Sequence, residues 1–114
     1  MSDKFDPEKI YKGLVEAGND WADKEAAANL LEQTKKTYLA QLQTQHFPTD
    51  SATGGEQKAL ARPEYKDHIT AMVNARKEAN KAQVKYYSMR TLASLRQSEA
   101  ANARIENQMS NLTT

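Results

Sequence analysis

An all-α fold, an antiparallel helical hairpin of two long helices, is what this sequence predicts. Three observations carry that expectation. Apolar residues recur at threes and fours from Ile10 to Leu42 and again from Tyr65 to Ala93. The only Pro and Gly cluster between the two runs is 48–55, which has loop composition. No Gly or Pro follows Pro63. At 114 residues the chain is one domain.

The first helix, expected over about 7–46, opens on Asp6-Pro7. Asp6 can cap free backbone N–H groups, and Pro7 sits where a missing N–H costs nothing. Glu8 suits the positive end of the helix dipole. Ile10, Leu14, Ala17, Trp21, Ala28, Leu31, Tyr38 and Leu42 then gather on one face. Gly13 and Gly18 weaken the first turns by roughly 1 kcal/mol each against Ala. Trp21 and Tyr38 fit the apolar face as packing anchors.

Phe47-Pro48 ends that run, and 47–62 is expected to be a flexible loop. Within it, Glu56 to Ala61 can form a short helical turn. The second helix is expected from Pro63 to about residue 106, about 65 Å at 1.5 Å per residue. The tail 107–114 is polar and is expected to fray. Two apolar stripes run along this helix. Tyr65, Ile69, Met72, Ala75, Ala79, Ala82, Tyr86, Met89 and Ala93 form the first, rich enough in Ala for close helix approach. Val73, Val84, Leu92 and Leu95, then Ile105 and Met109, form the second. Two helices bury little apolar surface, so the second stripe calls for a partner, and assembly into an oligomeric bundle is expected.

Composition narrows the chemistry. With no cysteine there are no disulfides, thiolate nucleophiles or cysteine-bound metals. No stretch approaches the roughly 18 apolar residues of a membrane span, and the N-terminus lacks an apolar signal region. A soluble, cytoplasmic protein is the expectation. His68 follows Glu64 by four residues with Asp67 adjacent, but a metal site needs about four ligands and the sequence supplies no second cluster. The serines have no His and Asp partners at recognisable spacing. Gly54-Gly55 lacks the Lys-Ser/Thr of a phosphate loop. No enzyme, cofactor, metal or small-molecule substrate is expected.

Charge is unevenly spread. Residues 1–46 hold six Lys and eight acids, a net of about −2, whereas 47–114 hold ten Lys and Arg and seven acids, a net of about +3. Within 76–96, Arg76, Lys77, Lys81, Lys85, Arg90 and Arg96 face one acid, Glu78. Lys77, Lys81 and Lys85 are spaced at fours along one side of the helix. Cations in a row, interleaved with rings, suit single-stranded nucleic acid. Tyr87, off the Ala stripe, is the ring placed to stack, while Tyr86 and Met89 fit the core. Lys35 and Lys36 can extend the patch. The competing reading is that Glu16, Asp20, Asp23 and Glu25 lie opposite 86–95 and pair with Lys85, Arg90 and Arg96. A membrane-surface helix would want bulky apolar residues beside the basic row, and this one has few.

The layout resembles small helical accessory proteins of tailed phages and prophages, and among them the UvsY-type recombination mediators. The resemblance covers roughly residues 22–96. It rests on Lys35-Lys36-Thr37-Tyr38-Leu39, the Gly54-Gly55 loop, Glu64-Tyr65-Lys66, Ala75-Arg76-Lys77-Glu78 and Val84-Lys85-Tyr86-Tyr87. It implies a non-enzymatic, oligomeric accessory protein of DNA recombination or replication that works with single-stranded DNA and recombination proteins. Lys77, Lys81 and Lys85, with Lys35, Lys36, Arg76, Arg90 and Tyr87, would then contact DNA. Such mediators continue into an apolar C-terminal segment associated with oligomer formation. Residues 97–114 here are rich in Asn, Gln and Ser instead. The alternative is a protein-interaction module (an assembly chaperone, scaffold or inhibitor of a host enzyme) that docks through Val73, Val84, Leu92 and Leu95.

Overall fold

The computed structural model describes residues 6–113, so the outer ends of the single-domain assignment, residues 1–5 and Thr114, lie outside the described residues. The chain is all-helical and elongated, 91 × 20 × 18 Å. Its elements are α1 (Pro7–Gln33), α2 (Lys35–His46), α3 (Ala52–Leu60) and α4 (Pro63–Thr113).

The Asp6 carboxylate accepts from the Glu8 and Lys9 amides at 3.2 and 3.3 Å, ahead of Pro7 in the first turn. The run expected to continue to residue 46 breaks at Thr34. Its hydroxyl donates to the Leu30 carbonyl at 2.8 Å, an acceptor its own amide also uses at 3.0 Å. Back-bonding of this kind competes with the helical ladder and bends the axis. His68 of α4 spans the break. Its Nε2 lies 3.1 Å from the Leu31 carbonyl, and its ring stacks on Tyr38 of α2 at 4.8 Å between centroids.

The stretch 47–62 is not one loop. Ser51 caps a nine-residue helix, accepting from the Gly54 amide at 3.1 Å. Gly55 is buried because α3 packs close to α2: a Cβ there would stand 2.8 Å from Gln43 Nε2. Gln43 in turn donates to the Ala52 carbonyl at 3.1 Å. Leu42, Ala59 and Tyr65 form the core of this corner, with Tyr38, Leu39, Phe47 and Ile69 around it.

α4 runs past residue 106, and the tail expected to fray is helical through Thr113. No Gly or Pro interrupts it. Its first stripe, from Tyr65 to Ala93, is buried or half-buried throughout. α1 packs antiparallel on that face, with Ala17, Ala28, Ala79 and Ala82 along the seam. Gly18 lets Tyr86 approach and Gly13 lets Met89 approach. The register therefore sets residues 13–18 opposite 86–89, and Trp21 against Tyr86 and Tyr87, which overlaps the expected pairing of 16–25 with 86–95 with a shift of a few residues.

Candidate interaction surfaces on the long helix

Burial against α1 divides α4 into sides, and each sequence-predicted residue can be placed on them. Arg76 lies on one flank of the hairpin seam. Its guanidinium grips Glu32 with two nitrogens at 2.8 Å each, Glu25 at 2.8 Å and the Asn29 carbonyl oxygen at 2.8 Å. A planar fork against carboxylates is the strong geometry for such a pair. These bonds hold the Glu32 carboxyl below the usual carboxylate range and raise the Arg76 pKa further above its ordinary value. Arg76, expected on a DNA face, is engaged within the fold.

The remaining masking expected from α1 is not made. Asp20 pairs with Lys24 of its own helix at 3.0 Å, and Glu25 takes Arg76. Among the described residues, Lys77, Lys85, Lys35, Lys36 and Arg96 make no ion pair. Lys81 has only a loose contact to Glu78 at 3.7 Å. All three lysines of the row are exposed. Successive members rise by about 6 Å along the axis. Lys35 and Lys36 open α2 just past the Thr34 break, also exposed.

Tyr87 is not beside this row. Two residues of helix turn it about 160° away from Lys85. Its ring packs on Trp21 at 5.5 Å and on Tyr86 at 5.7 Å, and the Arg90 guanidinium lies over it at 5.9 Å. The predicted set thus separates into a lysine edge on one side of α4 and an aromatic cluster with Arg90 on the other. The cluster borders a shallow groove lined by Gly18, Ala22, Ala26 and Asn29. Trp21 Nε1 is buried there without an acceptor among the described residues.

Between these two sides lies the second apolar stripe, with Leu92 set toward the lysine edge. Val73, Val84, Leu92 and Leu95 are 55, 65, 52 and 57% exposed. Ile105, Met109 and Leu112 extend it along the part of α4 that projects past α1. Periodicity reveals this stripe in the sequence. What it could not reveal is that, among the described residues, no other segment folds back over it.

The histidines are occupied locally. His68 clasps the α1–α2 break, and His46 Nε2 stands 3.5 Å from Glu64. Glu64 itself is bound by Arg62 at 2.7 Å, which holds its carboxyl below the ordinary range. Among the described residues no group of three His, Asp or Glu converges on a metal-sized space, and no helix is long and apolar enough to cross a membrane.

No family model, curated protein or solved structure matches this chain.

Proposed function

We propose that this chain is a non-enzymatic accessory protein of DNA recombination or replication, of the kind tailed phages carry, that holds single-stranded DNA along the lysine edge of α4. One observation carries the reading: Lys77 and Lys85 make no ion pair among the described residues, and Lys81 makes only a loose one. An exposed row of unneutralised cations binds a phosphate chain by releasing its counterions. Lys35 and Lys36 supply further cations. In this reading Arg76 braces the hairpin, and Tyr87 with Arg90 belongs to a separate surface. The likeness to UvsY-type mediators supports the same reading, with recombination proteins as partners and the cytoplasm as its place of work.

The test is fluorescence anisotropy of a labelled single-stranded oligonucleotide over a range of salt. Each phosphate contact contributes about 0.7 to the slope of log K against log salt for a single strand. Replacing Lys77, Lys81 and Lys85 by Ala should therefore lower the slope by about 2. Binding that ignores both salt and the triple substitution would refute the reading.

A second reading is supported by a different observation. All four predicted interface residues, Val73, Val84, Leu92 and Leu95, are more than half exposed. A row of large apolar side chains in water suits a docking face, and makes the chain a protein-interaction module, a scaffold or chaperone for a helical partner. Replacing Val84 and Leu95 by Asp should then abolish self-association or partner binding while helix content stays intact. Unchanged association would refute it.

A further inference from the structure

The outer face of α4 carries a pattern that matches itself. Val73, Val84 and Leu95 recur at eleven residues, close to a whole number of turns, so they fall on one line along the helix. Met109 continues that line beyond the end of α1, and Ile105 stands to one side of it. All five are more than half exposed, and α1 covers the opposite side.

The charges beside this line are ordered. On one flank, roughly 40–80° around the helix from the line, stand Lys77 and Lys81 in the N-terminal half and Glu99 and Glu106 in the C-terminal half. The other flank carries Arg76, whose charge is taken up by Glu25 and Glu32 of α1, and α4 itself places no carboxylate there. When two copies of one helix pack face to face in antiparallel fashion, like flank meets like flank. In a parallel pair, opposite flanks meet.

We infer that a second copy of this chain covers the outer face of α4, antiparallel, about a two-fold axis close to Arg90 and Thr91. This rests on the reading of the apolar stripe as a docking face and commits its occupant. One register joins the apolar line and the charges nearest it, while Lys85 and Arg96 stand about 100° around the helix from the line, outside the contact. Val84 of one copy lies opposite Leu95 of the other, and Val73 lies opposite the Ile105–Met109 turn. Lys81 lies opposite Glu99, and Lys77 lies within a turn of Glu106. The self-complementary patch is what a two-fold interface requires. A parallel pair would set Lys77 and Lys81 against the flank of Arg76, whose neighbouring carboxylates are already engaged, so neither lysine would gain a partner. Exposed ion pairs add little affinity but fix orientation. The projecting end of α4, uncovered by α1, gains a surface to pack on.

Because the chain has no cysteine, single introduced thiols report the register. Thr91→Cys and Ser98→Cys both change exposed positions on the line and leave the α1 seam untouched. Near the axis, the two thiols introduced at position 91 meet. The two introduced at position 98 would stand about 24 Å apart along the axis, beyond the roughly 7 Å limit for a disulfide. Light scattering on the unmodified chain without DNA should give twice the 12.8 kDa chain mass. Thr91→Cys should oxidise to a covalent dimer and Ser98→Cys should not. Lys81→Glu should weaken the dimer, and adding Glu99→Lys should restore it. A monomeric mass at micromolar concentration overturns the inference, as does cross-linking at 98 as efficient as at 91. A monomer that still binds single-stranded DNA in a salt-dependent way would separate this failure from failure of the DNA reading. A monomer that still docks another protein through Val84 and Leu95 would separate it from failure of the docking face.

Discussion

Gly13 and Gly18 offer paired substitutions whose outcomes the seam geometry sets apart. Each glycine lies inside α1, where Ala is favoured over Gly by roughly 1 kcal/mol. Neither has a positive φ, so a side chain brings no backbone strain. The difference lies in what the new methyl meets. At Gly13 it would stand 3.2 Å from the Met89 Cε, the far end of a flexible side chain. That methyl can swing by a few tenths of an ångström at little cost. At Gly18 it would stand 3.3 and 3.6 Å from the Tyr86 ring. That ring is wedged against Trp21 at 5.6 Å and Tyr87 at 5.7 Å, so it cannot yield without moving its neighbours. Gly13→Ala should therefore stabilise the fold by up to about 1 kcal/mol, raising Tm by about 4 °C. Gly18→Ala should gain less or lose stability. Urea unfolding and thermal melts followed by far-ultraviolet circular dichroism read both. If Gly18→Ala proves as stabilising as Gly13→Ala, the claim that the aromatic cluster fixes the seam is wrong.

Other consequences follow from the same contacts. Leu42 is 4% exposed in the α2–α3–α4 corner, so Leu42→Ala should cost about 2–5 kcal/mol, measured by urea unfolding. A loss under about 1 kcal/mol would mean the corner is not a core. Glu32 and Glu64 have folded pKa values lowered chiefly by hydrogen bonds from Arg76 and Arg62. Their contribution is present above the unfolded carboxylate value of about 4.3 and is lost as pH falls through the folded value. Tm should thus drop on acidification below that value. Arg76→Gln should flatten part of the drop while leaving the salt slope of DNA binding unchanged.

The two ends of legibility are α4 and the α1–α2 break. α4 is readable because Pro63 starts it, nothing stops it, and nine positions from Tyr65 to Ala93 keep helical spacing. The break at Thr34 leaves no such trace. Thr is common in helices, and the back-bond that bends this one is accompanied by His68, distant in sequence, which meets the Leu31 carbonyl and stacks on Tyr38. α3 was legible only in its second half, where a helical turn was expected over Glu56 to Ala61, and its start was hidden for a similar reason. Gly54 and Gly55 read as loop residues, but Gly55 is present because Gln43 of α2 approaches its backbone. The lysine row and the outer apolar stripe were both visible as spacing. Which cations are engaged was not, because that depends on helix register. The clamp of Arg76 on Glu25 and Glu32 sets a pairing that charge counts could not supply.

The seam between α1 and α4 explains why the outer face matters. Its buried residues are mostly alanine, and among the described residues no large side chain is fully buried. Close packing of small residues gives good contact but removes little apolar area from water. The larger apolar groups, Val73, Val84, Leu92, Leu95, Ile105 and Met109, lie on sides of α4 that α1 does not cover. A hairpin selected only to be stable alone would have turned those residues inward and left the alanines outside. The division is instead consistent with a helix that must satisfy two neighbours: its own α1 through a thin seam braced by Arg76, and a second surface through the stripe. The lysines border that stripe without entering the seam, so docking of a second copy and polyanion binding compete for Lys77 and Lys81. A partner on the stripe would therefore alter the field that a phosphate chain meets at Lys77 and Lys81, while Lys85, farther around the helix, keeps its exposure.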